Sequence, residues 1–298
     1  MNNVKNVFSI KDLENLSGVK AHTIRIWEKR YNVLQPMRTD TNIRLYSLPS
    51  LQKLLNITLL HDYGYKISKI ATFNEEKIVE MIREIVSKKN AKNHAVNAFK
   101  MAMMNFDQDL FSNTYNWLLE EKTFKEIFNQ VFIPLMEEIG LLWQTDTITP
   151  AHEHFISCLL LKKILVNIEK IEADKPINTD KVYVLSLPLN EIHELGLVYL
   201  HYEIVSRGYR VVYLGESMPL NYLKDLKKHF NSIIFLSYFT IQPDREYVND
   251  YVQTMGEELL GDGSQIWLIG KLTQYIDPNL IPVDVKVFDS IPDLIEKI

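Results

Sequence analysis

Residues 181–196 read KVYVLSLPLNEIHELG, an apolar run followed by a polar loop that holds Glu191, His193 and Gly196. The run predicts a buried strand, so the loop places an imidazole at a strand's carboxyl end. Open α/β sheets bind their ligands at that edge. A carboxylate two residues before the histidine suits a metal ligand, because it can hold one ring nitrogen while the other faces the metal.

Downstream of this loop, apolar runs alternate with amphipathic stretches. Strands are predicted at 181–187, 210–214, 232–238, 265–269 and 284–288, with helices between them and a last helix over 291–298. Gly208 fits a helix stop before the second strand. That order predicts a five-stranded doubly wound sheet.

Upstream, residues 74–173 contain almost no glycine and repeat a helical period. Helices are predicted over 75–89, 91–104, 108–121, 123–143 and 149–172, which reads as a helix bundle. Phe128, Phe132, Leu135, Met136, Ile139 and Leu142 trace a buried stripe, and Pro134 should kink it, lacking an amide donor. Thr149 and Pro150 suit a helix start. Across that junction stands Trp143, then nine residues, then Glu153-His154. His152 is expected at the surface, and Cys158 in the core.

The first seventy residues differ in charge from the rest. Residues 1–72 carry 11 Lys+Arg against 5 Asp+Glu, a net of +6, so the remainder of a chain of net −5 carries −11. A basic module on an acidic body points to a polyanion met by the N-terminal part alone. Ser9 caps a predicted helix through Leu16, with Asp12 completing a capping box. Gly18 permits a turn, and Ala21 to Tyr31 reads as a second helix with Ile24 and Trp27 inward. Residues 36–46 read as two short strands around a polar turn, and a further helix runs from Ser50 to Leu60. One cysteine excludes a disulfide framework. No signal-peptide core or membrane-length apolar stretch is present, so a cytoplasmic protein without a membrane partner is expected.

The run from FSIKDLENLSGVKAHTIRIWEKRY through RTDTNIRLYS resembles the winged helix-turn-helix of MerR-type transcription regulators over nearly all of residues 7–72. The resemblance implies that Lys20, His22, Thr23, Arg25 and Arg30 approach the bases or phosphates of a double-stranded DNA operator. It also implies that Arg38, Arg44 and Tyr46 fasten the wing to phosphates. The Trp143-x9-Glu153-His154 spacing resembles the helical cap of cobalamin-binding regulators, the light-responsive CarH/LitR type, and implies that these side chains cover one corrin face. Glu191-x-His193-x-x-Gly196, with Ser237 and Gly270, resembles the cobalamin-binding Rossmann-like domain. There His193 would coordinate cobalt, Glu191 would orient it, and Gly196 would admit the nucleotide tail. Ser237 would contact the displaced base, and Gly270 would line the far end of the slot. Three positions depart from that pattern. Phe239 stands for a leucine, Lys271 for a second glycine, and Gln144 for a histidine found in some light-sensing relatives.

Three domains follow: a winged helix-turn-helix over 1–74, a four-helix-type bundle over 75–175 and a doubly wound Rossmann-like cobalamin-binding domain over 180–298. The family implies a repressor, not an enzyme, whose dimeric or tetrameric state is set by adenosylcobalamin and light, with methylcobalamin an alternative cofactor. Two other readings stay open: a regulator whose sensor no longer binds cobalamin, and a corrinoid methyl carrier.

Overall fold

The computed structural model describes residues 7–86, 91–145, 147–172 and 176–298. They divide into two compact units, one up to Leu159 and one from Leu160 onward. The boundary falls inside a helix.

The first unit opens with β1 (Val7–Ser9), α1 (Ile10–Ser17) and α2 (Ala21–Tyr31), followed by β2 (Met37–Arg38), β3 (Arg44–Ser47) and α3 (Leu48–Asp62). The capping box is present: Ser9 accepts from the Asp12 amide, and Asp12 accepts from the Ser9 amide. Gly18 closes α1 in the left-handed region at φ 74°, a conformation that glycine adopts without steric cost. Strand β1 adds a third member to the wing, giving the order β1-β3-β2.

Then come α4 (Ile67–Ile70), α5 (Glu75–Val86), α6 (Ala91–Asn105), α7 (Gln108–Leu119), α8 (Phe124–Ile127), α9 (Ile133–Gln144) and α10 (Pro150–Glu172). The predicted helix over 123–143 is interrupted by a π-helical turn, Phe128–Phe132, between α8 and α9. Pro134 accounts for it, since a proline amide cannot complete the ladder and the preceding turn widens. The stripe keeps its buried face: Phe128, Phe132, Leu135, Ile139 and Leu142 are all buried. Phe99, Phe111 and Tyr115 close on Phe132 with ring centroids 5.6, 6.5 and 6.1 Å away.

Head and bundle form one packed body. Lys100 of α6 is buried and donates to the Leu16 carbonyl at the end of α1 (3.0 Å) and to Glu138 of α9 (2.6 Å). Asn15 of α1 donates to the Thr147 hydroxyl (2.9 Å), which is buried in the corner between α9 and α10.

Two expectations for α10 are corrected. Its buried residues Ile156, Leu160, Ile164 and Ile168 recur every fourth position. His152 continues that row and is buried, stacked on Phe106 at 4.8 Å with Nδ1 2.8 Å from the Thr149 hydroxyl. Cys158 falls between the rows and is exposed.

The second unit holds β4 (Asn178–Ser186), α11 (Leu195–Val205), β5 (Tyr209–Gly215), α12 (Leu220–Leu223), β6 (Ile233–Tyr238), α13 (Val248–Leu259), β7 (Gln265–Ile269), β8 (Val285–Phe288) and α14 (Ile291–Ile295). All neighbours pair in parallel in the order β5-β4-β6-β7-β8. Parallel strands need crossovers, and these cover both faces. On one face Leu197, Leu200 and Ile204 of α11 and Leu294 of α14 pack on Leu185, Leu236 and Trp267. On the other, Val252, Met255 and Leu259 of α13 pack on Phe235 and Ile266. The chain leaves β4 toward β5 and then returns to β6 on its other side. The crevice at the carboxyl ends of β4 and β6 is therefore the topological switch point.

Candidate nucleic-acid interface and corrinoid site

In the head, α2 presents Lys20 at its start and His22, Arg25, Lys29 and Arg30 along its exposed side, with Thr23 half-buried. Ile24 and Trp27 are buried beneath them. Lys20 offers no side-chain cap; instead Glu14 of α1 accepts from the Ala21 amide at 3.2 Å and from Lys20 at 3.3 Å. The Ala21 amide leads the causes that hold the Glu14 carboxyl below its ordinary range. A carboxylate at that end also suits the helix dipole.

The wing places Arg38 and Arg44 opposite one another in register, a like-charge pair that needs relief. Asn42 accepts from Arg38 at 2.5 Å, and Glu28 of α2 accepts from Arg44 Nε at 3.0 Å. Tyr46 corrects the expectation of a phosphate contact. It is 0% exposed, and its hydroxyl donates to Glu28 at 2.9 Å. Burial, then that carboxylate, pushes its phenol well above the ordinary range. Tyr46 therefore tethers the wing to α2, while Arg38 stays exposed at the turn.

In the bundle, Trp143 is 46% exposed at the end of α9. Glu153 and His154 lie in the first turns of α10. Glu153 accepts from Ser157 at 2.8 Å, and its other oxygen is 3.8 Å from His154 Nε2, with His154 exposed. Gln144 closes α9.

In the α/β unit, the loop after β4 is built around one carboxylate. Glu191 is completely buried. Its Oε2 accepts from three successive amides at the end of β6, Thr240 (3.1 Å), Ile241 (2.6 Å) and Gln242 (2.9 Å). Its Oε1 accepts from the amides of Ile192 and His193 at 3.0 Å each and from His193 Nδ1 at 2.7 Å. Burial alone would raise this carboxyl. The His193 ring and the amides of Ile241, Gln242 and His193 outweigh that and hold it at about 2. An ionised carboxylate only accepts, so the imidazole carries a proton on Nδ1, and in the neutral ring the lone pair is on Nε2. The His193 side chain is 45% exposed.

The other members of the expected set are placed as follows. Ser237 is buried and donates to the Ser186 carbonyl at 2.7 Å. Gly270 adopts φ +122° against the Phe239 backbone, where any Cβ would collide. Lys271 is exposed, and Phe239 is fully buried on the α13 side, its ring 5.8 Å from Tyr251. A residue that the sequence did not single out lies in this crevice. The Tyr238 ring presses on Gly196 so closely that a Cβ there would stand 2.5 Å from Cε2. Tyr238 was legible only as a large residue beside Ser237.

Residues 8–77 match the MerR HTH family regulatory protein description, and residues 95–165 match a B12 binding domain. The chain is a transcription regulator built with a MerR HTH domain and a B12 binding domain. The B12 match spans the helices that carry Trp143, Glu153 and His154, and His193 lies beyond it. The regulator is similar to the HTH-type transcriptional repressor CarH of Myxococcus xanthus, 27% identical over 218 residues, or 71% of this chain and 72% of that one. It is also similar to the repressor CarA of the same organism, 22% identical over 212 residues, 70% and 68% of the two chains. Among solved structures, the monomethylamine corrinoid protein of Methanosarcina barkeri covers 67% of this chain and 93% of its own length, with a TM-score of 0.55 at 13% identity. That likeness shows a shared fold. No helix among the described residues is long and apolar enough to cross a membrane.

Proposed function

We propose that the regulator represses transcription from a double-stranded operator and that a corrinoid held through His193 sets its grip. The observation that carries this reading is the Glu191–His193 loop at the switch point. Five amides fix the carboxylate, and the carboxylate fixes the ring, which is 45% exposed. Such second-shell bonding is what a metal-ligating histidine requires, and imidazole is a fitting donor for cobalt. The family resemblance would also give Trp143, Glu153 and His154 a part in covering a corrin face.

In the DNA head, Lys20, His22, Thr23, Arg25 and Arg30 would meet the major groove, with Arg38 and Arg44 on phosphates. Phosphate contacts set salt dependence, and base contacts set sequence preference. Adenosylcobalamin is the proposed form, with methylcobalamin second; when bound it would supply a light-labile cobalt–carbon bond. The resulting dimer or tetramer would multiply weak head contacts into firm occupancy.

The test uses the full chain, mixed with adenosylcobalamin in the dark, desalted and scanned in the visible region. Corrin absorbance should persist in the wild type and be altered or lost in His193→Ala. Operator retardation and size-exclusion elution should both change on illumination. A colourless wild type overturns the corrinoid reading and leaves a DNA-binding regulator.

A further inference from the structure

The geometry points to Tyr238 as a selectivity residue: its ring occupies the room beside Gly196, so the site favours corrinoids that lack a lower nucleotide over complete cobalamins. This rests on the proposed corrinoid reading and departs from it on one point: a corrinoid without the lower nucleotide would bind more tightly than the complete adenosyl- or methylcobalamin.

Gly196 is the second residue of α11 and follows the His193 loop directly. A Cβ there would meet Tyr238 Cε2 at 2.5 Å, Cζ at 2.8 Å and Cδ2 at 3.0 Å. The open space that a missing side chain creates is thus taken by one edge of a phenol. Tyr238 ends β6, two residues before the first of the three amides that bind Glu191. It is one of the partly buried side chains packed against the apolar layer that includes Leu197, Leu200, Leu236 and Ile269. A ring packed in this way leaves its place only with loss of buried contact. A nucleotide base entering beside Gly196 has to displace it. Ser237 adds to the mismatch, because its hydroxyl proton is already donated to Ser186.

Charge acts in the same direction. The lower nucleotide brings a phosphodiester. The β5–α12 loop lies against the His193 loop through Ser217, whose amide donates to the Glu191 carbonyl at 3.2 Å and whose hydroxyl accepts from the Asn190 amide. It carries Glu216, and Glu194 on the other side is held by Tyr213 at 2.7 Å. These carboxylates oppose an anion and suit a cationic corrinoid without a nucleotide.

Full-length protein is titrated with diaquocobinamide, which has no nucleotide, and with hydroxocobalamin, following visible absorbance and heat. The wild type should bind cobinamide at least about tenfold more tightly. Tyr238→Ala should tighten hydroxocobalamin by about tenfold and leave cobinamide within about threefold. Tyr238→Phe, which keeps the ring, should behave as the wild type and serves as the folding control. His193→Ala should weaken cobinamide. Equal affinities for both ligands, unchanged by Tyr238→Ala, would overturn the selectivity and spare the corrinoid site. If neither ligand binds the wild type or Tyr238→Ala, both the site and the selectivity fail.

Discussion

Replacing Glu191 by Gln removes one charge and keeps the shape, which makes it an incisive perturbation of the site. The carboxyl is held at about 2 against an ordinary value of 4.5. At 1.36 kcal/mol per unit, that depression corresponds to about 3 kcal/mol of stability at neutral pH. The introduced carboxamide would also turn an N–H donor toward amides that need an acceptor, and a buried donor facing donors costs about 1–3 kcal/mol. Together these put the loss at about 4–6 kcal/mol. Because the folded-state value is depressed, the charge-dependent part is fully present above pH 4.5 and disappears as pH falls toward 2. Urea unfolding of wild type and Glu191→Gln, followed by circular dichroism from pH 7 to pH 3, measures the gap. The gap should stay constant from pH 7 to about pH 5 and narrow below it. A gap under about 1 kcal/mol at neutral pH, or one that ignores acid, would refute the assignment of Glu191 as the ionised keystone of the loop.

Other expectations concern the head and the sheet. Arg38→Ala should weaken operator binding similarly for all sequences and reduce the slope of log affinity against log salt by about 1, whereas Arg25→Ala should also relax sequence preference. Both are read by fluorescence anisotropy across a salt series. Tyr46→Phe leaves Glu28 short of one donor and should cost about 1–2 kcal/mol in thermal unfolding, with operator affinity falling because the wing loses its tether. Gly270→Ala drives a Cβ into the Phe239 backbone at a left-handed φ. It should lower stability by at least about 2 kcal/mol, and a variant as stable as wild type would contradict that close approach.

Much of the architecture was legible because its signals are local. The Ser9–Asp12 capping box, the Gly18 stop and the Glu191-x-His193 spacing each act over three residues or fewer. The strands of the sheet fell where apolar runs placed them. What escaped were contacts between distant positions. Tyr46 looked like a wing residue available to DNA, but Glu28, eighteen residues earlier, claims its hydroxyl. The π turn before Pro134 is a backbone adjustment that periodicity does not encode. His152 and Cys158 were readable in principle: the fourfold spacing of Ile156, Leu160, Ile164 and Ile168 puts the first on the buried row and the second off it. Tyr238 was hidden for a different reason. A glycine in a recognised pattern suggests room for a ligand, and only the fold reveals which side chain has already entered that room.

The ammonium of Lys100 sits between a helix end of the DNA reader and an acid on the bundle. Pulling the reader away by even a few ångströms would break the ammonium's bond to the Leu16 carbonyl and leave it Glu138 alone, a loss of about 1.5–3 kcal/mol. The operator therefore meets no loosely tethered hand. Its reading helix and the indole-bearing corner belong to one packed unit, so a tilt imposed at either end would be passed to the other through that seam.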